Sequence, residues 1–258
     1  MQVKNLPSIT PRYWTAILVA SMCGANTGDF LSHNLHLGHT RGLPPLAALF
    51  LMVLWAERRA RVATEAYYWL AIIVLRTAAT NLADLGTHDL KLGYGAIESG
   101  LTVLLIAILL FDRGPRPSTS SSAPLNIARR PGLPATDTSY WFAMLTAGTL
   151  GTATGDFVAG AVGLGLGLGL GSVMLMTVFG LVLLVSWRFG EMSKPWYWAS
   201  IVAARTAGTT MGDLLASRHG LDLGLPLSTT ITGAMLAAVV ILWPHRNQAV
   251  PVVTRQAG

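Results

Sequence analysis

Four Tyr-Trp pairs, each followed at one fixed distance by an aspartate, limit what this chain can fold into more than any other feature. The pairs are Tyr13-Trp14, Tyr68-Trp69, Tyr140-Trp141 and Tyr197-Trp198. Fifteen residues after each Trp stands Asp29, Asp84, Asp156 or Asp213. A small residue precedes each aspartate, and another lies four positions earlier. These are Gly24 and Gly28, Ala79 and Ala83, Gly151 and Gly155, Gly208 and Gly212. Leu-Gly follows at Leu37-Gly38, Leu92-Gly93, Leu164-Gly165 and Leu223-Gly224. A second apolar run then ends near Trp55, Phe111, Trp187 and Trp243. A register kept four times identifies one unit in tandem, to be read before any local propensity.

Each unit reads as helix, short turn, helix. The chain is 52% hydrophobic and only 12% charged, with its charges gathered between long apolar runs. That is the pattern of a membrane protein with the lipid bilayer as its partner. Inside lipid, backbone polar groups must bond within their own segment, so the apolar runs should be helical. The first helix of unit one is predicted over 13–31, and its counterparts begin at Tyr68, Tyr140 and Tyr197. Second helices are predicted over 43–56, 92–111, 166–187 and 223–243, the short first one starting nearer Gly38 despite Pro44 and Pro45. The Tyr-Trp pairs fit an aromatic belt at one interface. The predicted fold is thus an all-α membrane protein with eight transmembrane helices from four tandem two-helix repeats.

A Ser-, Pro- and Arg-rich stretch at 113–139 reads as a flexible cytoplasmic linker. It divides the chain into two pseudo-symmetric halves, 1–112 with repeats one and two, and 140–258 with repeats three and four. Arg-Thr-Ala recurs at 76–78 and 205–207, and Thr-Gly-Asp-Phe at 27–30 and 154–157. Of the eighteen Lys and Arg residues, thirteen fall on the side holding both termini and only Arg41, Lys91 and Arg218 on the other. The positive-inside rule then predicts cytoplasmic termini and four units pointing one way. The basic residues sit at the ends of apolar runs and form no patch of their own, so a nucleic-acid partner is not expected. A lone cysteine, Cys23, excludes an internal disulfide and any CxxC metal site.

Four tandem two-helix units, each with a marked Trp, resemble a family of bacterial membrane proteins defined by a tandem repeat of unknown function. The resemblance covers nearly the whole chain outside the linker. It implies a multi-pass protein of the bacterial inner membrane and implies no substrate.

The aspartates are the leading candidates for chemistry. A carboxylate in lipid costs several kcal/mol, so these should face water or the protein interior. The plain alternative is that each caps its own turn. The small-x-x-x-small spacing allows close helix approach. If the first helices pack through those faces, Asp29, Asp84, Asp156 and Asp213 converge and call for a cation or shared protons. Asn26, Thr27, Asn81 and Thr154 could assist, with Thr80, Thr152, Thr209 and Thr210 nearby. His33 and His88 follow their aspartates by four residues, and Asp with His suits divalent transition metals. Arg76, Glu98 and Arg205 are intramembrane charges, for which an Arg76–Glu98 ion pair is expected. No nucleotide-binding loop or hydrolase motif is present, and an enzyme is not expected. The expected function is secondary transport of a small cation. A divalent metal would be the substrate, with no resident cofactor, and proton coupling is possible in principle. A membrane scaffold, or an anion carrier using the arginines, are the alternatives.

Overall fold

The computed structural model describes residues 7–60, 64–112, 136–188 and 192–243. Residues 113–135 of the linker and both chain ends lie outside them, whereas 138–139, read as linker, already belong to the first turn of a helix. Among the described residues the protein is all-helical, with no strand. Eight α-helices follow one another: α1 Pro11–Asp29, α2 Gly38–Arg59, α3 Glu65–Asp84, α4 Tyr94–Phe111, α5 Thr138–Ala159, α6 Gly167–Arg188, α7 Lys194–Ala216 and α8 Gly224–Leu242. First helices begin two or three residues before each Tyr because the caps lie there. Pro11 opens α1, and the Asp137 carboxylate accepts the Tyr140 N–H at 3.0 Å. Past their aspartates α1 and α3 run on into π-helical turns, Phe30–Asn34 and Leu85–Asp89. The α5 and α7 helices stop instead at Ala159 and Ala216.

The four turns within the repeat units share one backbone device. His36, Lys91, Gly165 and Asp222 take positive φ, and two residues later so do Gly38, Gly93, Gly167 and Gly224. The structural counterpart of the other Leu-Gly pairs in unit three is therefore Leu166-Gly167, not Leu164-Gly165. The Gly-Leu alternation there offers several registers, and the sequence does not distinguish them. At Gly93 (φ +73°) an added Cβ would meet nothing within 4 Å. Its replacement cost is thus conformational alone. Gly93→Ala is expected to destabilise by about 1–3 kcal/mol. Gly95→Ala, two residues into α4 with equally open surroundings, should be neutral or better. Thermal unfolding of the two variants in detergent checks this.

The helices form two shells. The α1, α3, α5 and α7 helices close an inner ring, each packed on the next and α7 on α1. The outer helices do not chiefly cover their own partners. Instead α2 packs on α3, α4 on α5, α6 on α7, and α8 returns to α1. Arg12 fastens that return. Its guanidinium donates to the Val240 carbonyl at 2.8 Å and pairs with Glu65 at the start of α3 at 2.9 Å. Ser21, Asn26, Arg76, Thr80, Thr152 and Arg205 are buried within the ring, while Leu51, Met52, Val103, Ile106, Val173 and Leu184 are exposed on the outer shell. A polar inside and an apolar outside suit a protein whose solvent is lipid.

Among the described residues four segments are long and apolar enough to cross a membrane: Glu65–Asp89, Tyr94–Phe111, Gly167–Arg188 and Gly224–Leu242. The inner helices α1, α5 and α7 carry small and polar residues on their ring faces, which lowers their hydropathy. The Tyr-Trp pairs do not form a lipid-facing belt. All four tyrosines are 2% exposed or less and their Trp partners 7% or less. Trp55 and Trp187, at the ends of outer helices, hold the exposed positions instead.

Candidate functional site

Residues spaced by four along each inner helix meet in layers around the ring axis. At one end Tyr13, Tyr68, Tyr140 and Tyr197 join their hydroxyls in a closed cycle. The O–O separations are 3.0 Å (13–68), 2.7 Å (68–140), 3.0 Å (140–197) and 2.7 Å (197–13). A tyrosine hydroxyl can donate one hydrogen bond and accept others, so four can satisfy one another with no outside partner. Each ring stacks edge-on against its own Trp, and each Trp leans on the tyrosine of a neighbouring helix. Four residues on, Ile17, Ile72, Met144 and Ile201 form a dry layer, all 1% exposed or less.

The third layer holds Ser21, Arg76, Gly148 and Arg205, and the fourth Ala25, Thr80, Thr152 and Thr209. Arg76 and Arg205 are each 1% exposed. The expected Arg76–Glu98 pair does not form. Arg76 Nη1 donates to Thr80 at 2.9 Å and Thr152 at 2.7 Å, and Nη2 donates to Thr209. Three hydroxyls of three helices thus hold it on the axis. Glu98 sits on α4, which packs outside α5, and lies beside Thr154. An outer helix against the next unit's inner helix places the two charges on different sides of the ring wall.

Glycines let these layers close. An ideal Cβ on Gly24 would stand 2.5 Å from Arg76 Cγ, and one on Gly151 2.6 Å from Arg205 Cβ. The same contact thus recurs between units one and two and between units three and four. A Cβ on Gly28 would press on Thr80, on Gly155 on Thr206 and Thr209, on Gly208 on Ser21, and on Gly212 on Asn26. Ala79, which faces Gly148, and Ala83 are fully buried.

The fifth layer is the aspartates. Asp84 is buried and Asp29, Asp156 and Asp213 are half-buried. Every one of the six possible pairs lies within range of mutual repulsion. Arg76 acts on all four from below. The layer thus gathers four carboxylates over one guanidinium, with His33, His39 and His88 close enough to act on Asp84.

Those histidines include one the sequence did not single out. His39, at the start of α2, has Nδ1 3.1 Å from both Asp89 oxygens and Nε2 3.9 Å from Asp84 Oδ2. His88 Nδ1 lies 3.7 Å from Asp84 Oδ1. His33 bonds the Asp29 carbonyl oxygen at 3.1 Å, with its ring 5.8 Å from that of His39. His39 joins because α2 crosses onto α3, which sequence spacing does not reveal. Among the described residues no three His, Cys, Asp or Glu side chains stand close enough to hold a metal ion as placed. The other candidate donors lie off the axial stripe. Thr27 bonds the Cys23 carbonyl at 2.6 Å. Asn26 packs on Gly212 and Asn81 on Gly42, both fully buried and without hydrogen-bond partners.

The family described as Repeat of Unknown Function (DUF347) matches residues 12–63, 139–191 and 196–248. The chain belongs to this family. No curated protein and no solved structure matches it. The matched DUF347 stretches are units one, three and four. Unit two carries the same five layers and the same positive-φ turn. In this DUF347 protein, then, each repeat contributes one wall of the axial stack and one outer helix to its neighbour.

Proposed function

We propose that this protein is a carrier of a small cation, a divalent metal exchanged against protons, spanning the inner membrane eight times with both termini cytoplasmic. One observation carries the reading: four carboxylates, all within mutual repulsion, face a single guanidinium. Such a layer holds excess negative charge that a cation or protons must balance. The thirteen basic residues flanking the tyrosine end support a cytoplasmic position for the ring. The aspartate layer then opens outward. On this reading the tyrosine cycle and the dry layer beneath the arginines are the inner barrier. Rocking of 1–112 against 140–258 would break the cycle and expose the carboxylates to the other side. A cation would draw the aspartates together, with His39 and His88 at the mouth, and release protons as it binds.

The test is equilibrium binding of Mn²⁺ and Zn²⁺ to the purified protein, with proton release measured alongside. Single Asp29→Asn, Asp84→Asn, Asp156→Asn and Asp213→Asn variants keep shape and remove charge. Each is expected to weaken binding at least tenfold, about 1.4 kcal/mol, and to lower the number of protons released. Wild-type affinity in all four variants overturns the reading.

A further inference from the structure

Arg205 stands apart from the cation chemistry. Arg76, one repeat pair away, spends its terminal nitrogens on three threonines. Arg205, at the matching position, has no such partners. It is 1% exposed, its Nε and Nη1 have no hydrogen-bond partner, and its Nη2 meets only the Met144 sulfur at 3.8 Å. A guanidinium presents five N–H donors and stays charged. Buried without a counter-charge, it is among the costliest groups a protein can hold. Its charge acts on the four tyrosines of the cycle and on Arg76. No side chain of its own layer accepts from it. Gly148 has no side chain, and the Ser21 hydroxyl donates to the Ile17 carbonyl at 2.7 Å and receives no hydrogen bond from Arg205. At this layer the axis therefore holds a positive charge and N–H donors that no protein group accepts from.

We propose that Arg205, above the tyrosine cycle, is the binding site of a small monovalent anion, of which chloride is the simplest. One negative charge neutralises the guanidinium, and a halide accepts several N–H and O–H donors without a fixed direction. A divalent oxyanion would bring more charge and bulk than a single guanidinium in a layer closed by glycine contacts can take. The site is separate from the aspartate layer and does not depend on the cation reading. Loss of metal binding in the Asp variants would leave it standing.

The experiment is radiolabelled chloride binding to detergent-purified full-length protein, in a buffer whose only other anion is gluconate. Wild type is expected to bind chloride saturably, with bromide competing. Arg205→Lys keeps the charge but loses the fork of donors and is expected to bind at least tenfold more weakly. Arg205→Gln is expected to lose binding, and its integrity is checked by gel filtration. If that variant does not fold, the Lys variant alone decides. No saturable binding in wild type, or unchanged affinity in Arg205→Lys, overturns the proposal. So does a tyrosinate absorption band in wild type at neutral pH, because a phenolate of the cycle would then be the counter-charge.

Discussion

Arg76→Met is expected to destabilise the bundle by about 3–5 kcal/mol at neutral pH, the loss typical when one partner of a buried charge set is removed. Two effects combine. The side chain joins Thr80, Thr152 and Thr209, so its removal unties three of the four inner helices at mid-depth. It is also the one guanidinium acting on all four aspartates. Without it the carboxylates repel across a largely buried layer. The second effect has a signature that lost packing lacks. As pH falls and the carboxyls take up protons, their repulsion fades, so the deficit should shrink toward acid. Thermal unfolding of wild type and Arg76→Met over a pH series measures it. A deficit constant with pH would mean that the threonine contacts alone matter.

Tyr68→Phe is the second large effect. In the hydroxyl cycle each oxygen serves two neighbours, so removing one hydroxyl breaks two bonds, those to Tyr13 at 3.0 Å and Tyr140 at 2.7 Å. One neighbour keeps a donor with no acceptor, in a layer no more than 2% exposed. An orphaned buried donor costs about 1–3 kcal/mol, and that is the expected loss of unfolding free energy. A second substitution, Tyr197→Phe, opposite in the ring, removes the remaining two bonds but should add less than the first. The cycle is already open, so the pair is coupled and sub-additive. Fully additive losses would show that the four bonds act independently.

The repeat, the two-helix unit and the ends of nearly every helix were legible in the sequence, because caps, glycines and the Trp-to-Asp spacing are local features. The stacking along the axis was only partly so. The stripe runs Tyr, Ile or Met, then Ser, Arg or Gly, then Ala or Thr, then Asp. It mixes apolar and charged residues on one face, and a hydrophobicity contrast cannot pick it out. Lipid outside and dry protein inside both accept Leu and Ile, so the usual inside-outside signal is absent from these helices. The tyrosines looked interfacial because each, taken alone, is an amphipathic ring near a helix end. Only four together become a self-satisfied cycle that can be buried. Arg76 with Glu98, and the omission of His39, share another cause. Both depend on which inner helix an outer helix covers, and the chain assigns it to the following unit.

That offset governs the order in which the protein can be completed. The outer helices α2, α4 and α6 emerge during synthesis before the inner helices they cover, whereas α1 emerges long before its own cover, so the growing bundle always exposes one unpartnered helix. The first inner helix waits longest. The α8 helix, which covers it, is the last to be made, and the Arg12 contact to the Val240 carbonyl spans 228 positions of sequence. Contacts this distant close slowly, because the ends of a long loop must find each other. The finished two-shell bundle therefore cannot exist until α8 has been made. A chain truncated before Gly224 leaves α1 uncovered however well its first three units have formed.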